Sequence, residues 1–257
     1  MNGVLVLTYH TVEEGPPPLC LDPRTFRAHV DAVAGSGLPV LTVSELAAAL
    51  RAGTVPERAV ALTFDDGFAS VASVAAPLLR ERGLKATVFC VAGRLGGMND
   101  WPTQPARAPR RALAGAAELA ELARDGFEIG SHGMEHTPLA AAAGETLRRE
   151  IAGSRRALEE AVGAPVASFA YPYGLLPGDE GRRLVAGEYA AACAGGLRTA
   201  TASADLFALP RVDAHYLRRP ERLRAALEGS ATAYLAARRI GARAGRAVRA
   251  DHSPASR

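Results

Sequence analysis

The chain has 257 residues, of which 48% are hydrophobic, and a formal net charge of +3. This length favours one large domain or an α/β barrel over two domains, and the apolar content is ample for a core. The mildly basic balance is weak evidence for a polyanionic partner, and we expect no nucleic-acid binding.

Cysteine usage and hydropathy argue against a disulfide-stabilised protein and against a membrane-spanning one. Cys20, Cys90 and Cys193 are scattered and odd in number, so no disulfide framework is predicted. No apolar run reaches the length of a membrane span. The first residues show no basic segment followed by a cleavable apolar stretch. We therefore expect a cytoplasmic protein without a transmembrane segment.

Strand-like and helix-like segments alternate along the chain. Strands are predicted at 4–9, 38–42, 59–65, 85–91, 127–131, 166–170, 189–194 and 206–212. Helices are predicted at 26–35, 44–52, 69–82, 113–124, 145–162, 179–186 and 221–239. The alternation favours a mostly parallel sheet with crossover helices. It does not distinguish a barrel from an open doubly wound sheet.

An acidic pair follows the third predicted strand. The apolar residues 59–62 lead into TFDDG at 63–67, where Gly67 relaxes the turn. Adjacent like charges are unfavourable without a positive neighbour, and a metal ion is the simplest such neighbour. The alternative interpretation is a helix N-cap, where Asp is common.

Two histidines follow another predicted strand. His132 and His136, in HGMEH, are four positions apart and can bind one metal from one side of a helical turn. With one Asp they form a set of two imidazoles and one carboxylate, which leaves positions open for water and substrate. The alternative is a pair of ordinary polar residues at a helix start.

The same residues also match HxxEH, the inverted zinc-peptidase pattern with Glu135 as base. That pattern requires a continuous helix, whereas Gly133 and Pro138 disfavour one here. The peptidase interpretation also leaves the acidic pair unused. Glu135 is then predicted to be a solvated side chain.

TFDDG followed by SHGMEH at 131–136 resembles the polysaccharide deacetylases with a NodB-type catalytic domain, carbohydrate esterase family 4. FAYPYG at 169–174 is similar to the third motif of that family, and LVLTYH at 5–10 adds to the likeness. The resemblance implies a distorted (β/α)7 barrel, which we assign to residues 1–240. The Arg-rich tail at 241–257 is predicted to be disordered.

The resemblance also implies the roles of several residues. Asp66, His132 and His136 would hold a divalent metal, and Asp65 would act as the general base. Zinc suits this ligand set, with nickel or cobalt as alternatives.

Two departures from the family pattern require substitutes. Many members carry an arginine in the third motif that tethers the base. Ala170 stands there in this chain, and Arg211 is predicted to replace that arginine unless it pairs with a surface acid. A late Leu-x-x-His motif is also missing, but LTYH at 7–10 has that pattern. The chain therefore resembles the circularly permuted bacterial exopolysaccharide N-deacetylases, with His10 as the general acid and His215 as the alternative.

Three aromatic residues complete the predicted site. The resemblance implies that a backbone N–H near Tyr173 helps to stabilise an oxyanion, although the YPYG segment is also typical of a rigid turn. Trp101, in the long loop 93–112, is predicted to stack against a sugar, with anchoring of the loop as the alternative. Tyr171 is predicted to contact substrate.

The resemblance implies a metal-dependent hydrolase that removes N-acetyl groups from an amino sugar or polysaccharide. Two alternatives stay open: a hydrolase of the same superfamily acting on a non-sugar amide or cyclic imide, and a non-catalytic sugar-binding relative. The expected partner is an N-acetylated saccharide. The Arg-rich terminal helix leaves peripheral contact with an anionic membrane open, a solvated outer helix being the alternative.

Overall fold

Seven parallel strands close into a barrel in the described part of the chain. The computed structural model describes residues 3–105 and 107–251, without the side chains of 242–251. The seven strands follow one another around the barrel in the order β1, β5, β6, β7, β8, β9, β10, and β1 pairs with both β10 and β5. The strands of the described chain are β1 (Gly3–Tyr9), β2 (Thr11–Val12), β3 (Cys20–Leu21), β4 (Val40–Leu41), β5 (Arg58–Phe64), β6 (Thr87–Cys90), β7 (Glu128–Ser131), β8 (Ser168–Ala170), β9 (Ala191–Gly195) and β10 (Leu209–Asp213). The predicted (β/α)7 barrel is confirmed.

The amino-terminal strand completes the barrel between the last strand and β5. Along β1 and β5 the register runs from Gly3 opposite Arg58 to Tyr9 opposite Phe64. On its other edge, β1 pairs Leu7 with Val212 of β10. The first strand of the chain therefore lies beside the last one, which is the arrangement expected from the circular permutation.

Helices cover the outside of the barrel. Those in the described chain are α1 (Pro23–Gly35), α2 (Val43–Ala52), α3 (Ala76–Arg80), α4 (Ala116–Arg124), α5 (Gly144–Arg148), α6 (Ser154–Val162), α7 (Asp179–Glu188), α8 (Pro220–Leu227) and α9 (Thr232–Asp251). Wide π-helical turns precede α3 at Val71–Ala75 and α6 at Arg149–Gly153. No helix in the described ranges combines the length and apolar composition needed to cross a membrane.

Several helix boundaries differ from the prediction, and two of the differences have a clear local cause. Helix α2, predicted to begin at residue 44, begins at Val43, because the Thr42 hydroxyl accepts from the Glu45 N–H while the Glu45 side chain accepts from the Thr42 N–H. The single helix predicted at 221–239 is two helices, separated at Glu228–Ala231 by a turn around Gly229, whose φ is 86°. Helix α9 continues to Asp251, and residues 252–257 of the predicted tail lie outside the described residues. The division at residue 240 stays a prediction.

Successive apolar residues along β1 and β5 belong in turn to two different apolar clusters. Val4 and Val6 of β1 pack with Ala59 and Ala61 of β5 in a smaller cluster that includes Phe89, in keeping with the interior of a narrow barrel. The alternate residues of the same strands belong to the larger cluster that packs against the helices. Thr63 and Asp65 continue the inward-facing positions of β5, which brings Asp65 to the mouth of the barrel.

Candidate metal centre and active-site cavity

Asp66, His132 and His136 meet at the carboxyl end of the barrel. The Nε2 atom of His132 lies 3.5 Å from Asp66 Oδ1, and that of His136 lies 3.4 Å from the same oxygen. One ligand atom from each residue lies within 4.8 Å of the others, and all three side chains are buried. The structure therefore brings the three predicted ligands together around one point.

The protonation pattern of this group suits a metal ion. His132 Nδ1 lies 2.8 Å from the carbonyl oxygen of Ala170. Because a carbonyl can only accept, Nδ1 carries a hydrogen, and Nε2 is the ring nitrogen that faces Asp66. Burial, reinforced by the neighbouring His132, holds the pKa of His136 well below its usual value, so this ring is neutral as a ligand must be. Two imidazoles and one carboxylate fit zinc or a similar divalent ion.

The backbone at the site is held in an uncommon conformation. Asp66 has a φ of 71° and His136 a φ of 59°, both in the left-handed region that non-glycine residues rarely adopt. Gly67, with a φ of 75°, follows directly, and a Cβ there would lie 3.1 Å from Cys90 Sγ. Such strain persists where the surroundings enforce it and clusters at functional sites.

Asp65 faces a different partner from its neighbour. The Arg211 guanidinium donates to both carboxylate oxygens, at 2.6 and 2.8 Å, and both side chains are buried. Burial alone would raise the pKa of Asp65, but Arg211, aided by His132, holds it well below its usual range. Arg211 therefore makes the predicted contact with the acid and keeps it ionised.

These residues lie at a cavity of about 740 Å³. His10 lines it from the end of β1, where the Asp65 N–H donates to the Tyr9 carbonyl and so places His10 beside the acidic pair. His215 is exposed and lines a small neighbouring pocket instead. Of these two histidines, His10 therefore shares the larger cavity with the acidic pair and His215 does not.

Two aromatic rings flank His136. The Trp101 ring centroid lies 4.4 Å from that of His136, and the Tyr173 centroid lies 4.6 Å away on another side. Tyr173 is 40% exposed, and its hydroxyl donates to the Thr103 carbonyl, which ties it to the long loop. Trp101 is only 2% exposed, although it lines the cavity, so most of its surface serves to pack the loop against His136.

Tyr171 does not have the predicted position. It is 0% exposed, and its hydroxyl donates to the Phe207 carbonyl at 3.0 Å. The prediction that it contacts substrate is wrong, because the chain turns at Pro172 and leaves Tyr171 in the core while Tyr173 faces the cavity.

The histidine segment is a loop and not a helix. Residues 132–138 follow β7 without helical structure, which does not fit the peptidase pattern. Glu135 is not the solvated side chain that was predicted: it pairs with Arg94 at 2.8 Å and Arg149 at 2.9 Å. A residue that the sequence did not reveal, the buried Glu150, binds the backbone of this loop.

Comparison with known proteins agrees with this architecture. A family model described as polysaccharide deacetylase matches residues 52–188, more than half of the chain. The chain therefore belongs to the polysaccharide deacetylase family. YxkH of Bacillus subtilis (strain 168), named as a candidate polysaccharide deacetylase, is 26% identical over 170 residues. The match covers 66% of this chain and 56% of YxkH.

Solved structures share the fold. The Streptococcus pyogenes deacetylase PplD in complex with acetate superposes with a TM-score of 0.73 at 24% identity, covering 86% of this chain and 96% of PplD. IcaB from Ammonifex degensii gives a TM-score of 0.71 at 21% identity, covering 90% of this chain and 97% of IcaB. At this level of identity, the similarity shows that these proteins and this chain share the barrel fold.

Proposed function

We propose that the protein is a metal-dependent hydrolase that removes N-acetyl groups from an amino sugar or polysaccharide. The observation that carries the proposal is the buried group of Asp66, His132 and His136 at a large cavity, with an arginine-paired carboxylate next to it. The relatives named above as deacetylases support the same class of reaction.

In the proposed reaction, Asp66, His132 and His136 would hold a divalent ion, and the bound ion would supply Lewis-acid chemistry at the acyl group and at water. Asp65 accepts the proton that the attacking water loses. Arg211 fixes the orientation of that carboxylate by its two hydrogen bonds and keeps it unprotonated before the attack.

The remaining residues act on the acyl group and the departing amine. A backbone N–H near Tyr173 donates to the oxygen on which negative charge develops. His10 donates a proton to the nitrogen as the C–N bond breaks. The water oxygen joins the acyl carbon, so the products are acetate and the free amine.

A screen for acetate release tests the proposal. Acetylated saccharides are compared with small non-sugar amides and O-acetyl esters, with and without a chelator. We expect acetate from N-acetylated saccharides, loss of activity with the chelator, and recovery on adding Zn²⁺, Co²⁺ or Ni²⁺. Activity that survives complete removal of metal, or activity confined to non-sugar amides, would contradict the proposal.

A further inference from the structure

A buried carboxylate from another element holds the loop that carries the two histidines. This histidine loop comprises residues 132–137. Glu150 lies in the π-helical turn Arg149–Gly153 between α5 and α6, and it is 2% exposed. Wide turns of this kind are rare in helices and occur often at functional sites.

Both oxygens of Glu150 accept hydrogen bonds from the histidine loop. Oε2 accepts from the N–H groups of Met134 at 2.9 Å and Glu135 at 3.2 Å. Oε1 accepts from the Thr137 hydroxyl at 2.8 Å and more weakly from the Glu135 N–H at 3.3 Å. One carboxylate therefore binds the two residues before His136 and the residue after it.

The opposite side of the loop is also fixed. The N–H groups of Ala92 and Gly93 donate to the carbonyls of Gly133 and Met134, at 3.0 and 2.8 Å. A Cβ at Gly133, where φ is 87°, would lie 2.7 Å from Glu150 Oε2, so a larger residue there would displace the carboxylate. The loop is thus held between the end of β6 and Glu150.

His136 depends on this support more than His132 does. The His132 ring is oriented by its hydrogen bond to the Ala170 carbonyl. The buried Nδ1 of His136 has no hydrogen-bond partner among the described residues, and its backbone is left-handed. A ligand without an orienting bond on its second nitrogen takes its position from its backbone and from the rings packed around it.

We propose that Glu150 is a positioning residue that sets the place of His136 in the metal centre. It does so by accepting from the N–H groups of Met134 and Glu135 in the strained loop, which would otherwise turn to find other partners. This inference rests on the proposed metal-dependent function, since it concerns the geometry of one of its ligands.

Titration of the metal-free protein with Zn²⁺ against a chromophoric chelator tests the inference. Glu150→Ala is expected to weaken Zn²⁺ binding by about 10–100-fold, as loss of an outer-shell partner typically does. Glu150→Gln should recover part of the affinity, because its amide oxygen can accept from the Met134 and Glu135 N–H groups while its NH2 donates to Thr137. The visible absorption of the Co²⁺-loaded variants should also change in shape.

Leu158→Ala is the matched control, because Leu158 is buried in α6 and its apolar side chain cannot hydrogen-bond to the loop. It should lower the melting temperature and leave Zn²⁺ affinity within about twofold, as expected for an independent site. Wild-type affinity in Glu150→Ala would overturn the inference.

If Glu150→Ala does not fold, Thr137→Val removes a single contact of the carboxylate. It should weaken Zn²⁺ binding by about fivefold, the equivalent of one ordinary hydrogen bond. Unchanged affinity in both Thr137→Val and Glu150→Gln would overturn the inference. A wild-type protein that binds no divalent ion would instead overturn the proposed function itself.

Discussion

Two adjacent carboxylates, Asp65 and Asp66, have different environments. Asp65 continues the inward face of β5 and meets Arg211, whereas the left-handed backbone of Asp66 turns its side chain toward the two histidines. Burial raises the pKa of Asp66, and the arginine lowers that of Asp65. Environments that separate two neighbouring acids in this way are typical of sites where the acids have separate roles.

Asp65→Asn tests this division of roles. The amide cannot accept a proton, so acetate release should fall by about 100-fold or more, in line with the loss of a general base. Metal content should be unchanged, because Asp65 is not among the proposed ligands. Kinetics and metal analysis of the same preparation check both expectations.

Asp205→Asn serves as the control, since Asp205 is an exposed acid that also pairs with an arginine, Arg182. It should keep wild-type turnover. Because Asp65→Asn leaves Arg211 buried without its charge partner, a thermal melt must show that the variant is folded. A folded Asp65→Asn protein with full activity would contradict the assignment of the base.

Motif spacing could predict the residues that bear the chemistry but not those that support them. The sequence pointed to His132, His136 and one acid of the 65–66 pair because few other roles require that pattern, and the family resemblance supplied the choice of Asp66. Glu150 could not be found in this way, since a glutamate in an amphipathic helix is ordinary. Glu150 lies in a π-helical turn and is buried, and both properties depend on tertiary packing rather than on local spacing.

At the scale of elements, the long loop between β6 and α4 is tied to the segment after β8. The Tyr173 hydroxyl donates to the Thr103 carbonyl and lies 2.7 Å from the Thr103 hydroxyl. Through this contact and the packing of Trp101 on His136, the loop forms one wall of the cavity. The loop and the third motif therefore shape the place where substrate would bind.

Tyr173→Phe is expected to raise KM by up to about tenfold, the equivalent of one lost hydrogen bond, because the loop wall is held less firmly. It should change kcat little, since the backbone N–H proposed to stabilise the oxyanion is retained. Steady-state kinetics on the best saccharide from the screen give both constants.

Tyr171→Phe is the matched control, because it also removes a hydroxyl bonded to a backbone carbonyl, that of Phe207. It should lower the melting temperature and leave KM unchanged. If Tyr173→Phe instead lowered kcat 100-fold at constant KM, the hydroxyl itself would take part in the chemistry.

Element types were easier to predict than their ends. Short apolar runs placed β1, β5 and β7 correctly to within one or two residues. The short pair β2 and β3 was missed because each has only two residues, too few for any periodicity. The break between α8 and α9 was missed because the surrounding residues favour a helix, and only the left-handed Gly229 interrupts it.

At the scale of the whole molecule, closure of the barrel by β1 brings the predicted site together. The register of β1 with β5 places His10 next to Asp65, and β10 on the other side of β1 carries Arg211. Residues more than 200 positions apart in sequence thus face one cavity. Local patterns could not establish this closure, because strand pairing depends on distant contacts; the family motifs supplied the expectation.

The central claim is that one divalent ion binds Asp66, His132 and His136. Elemental analysis of protein reloaded with Zn²⁺ and freed of excess metal tests it most directly. We expect about one ion per wild-type chain and almost none in His136→Ala or Asp66→Ala, because a zinc centre that loses a protein ligand is greatly weakened. His215→Ala, which changes an exposed histidine outside the cavity, should keep its ion. Full metal content in His136→Ala and Asp66→Ala, or none in the wild type, would contradict the account.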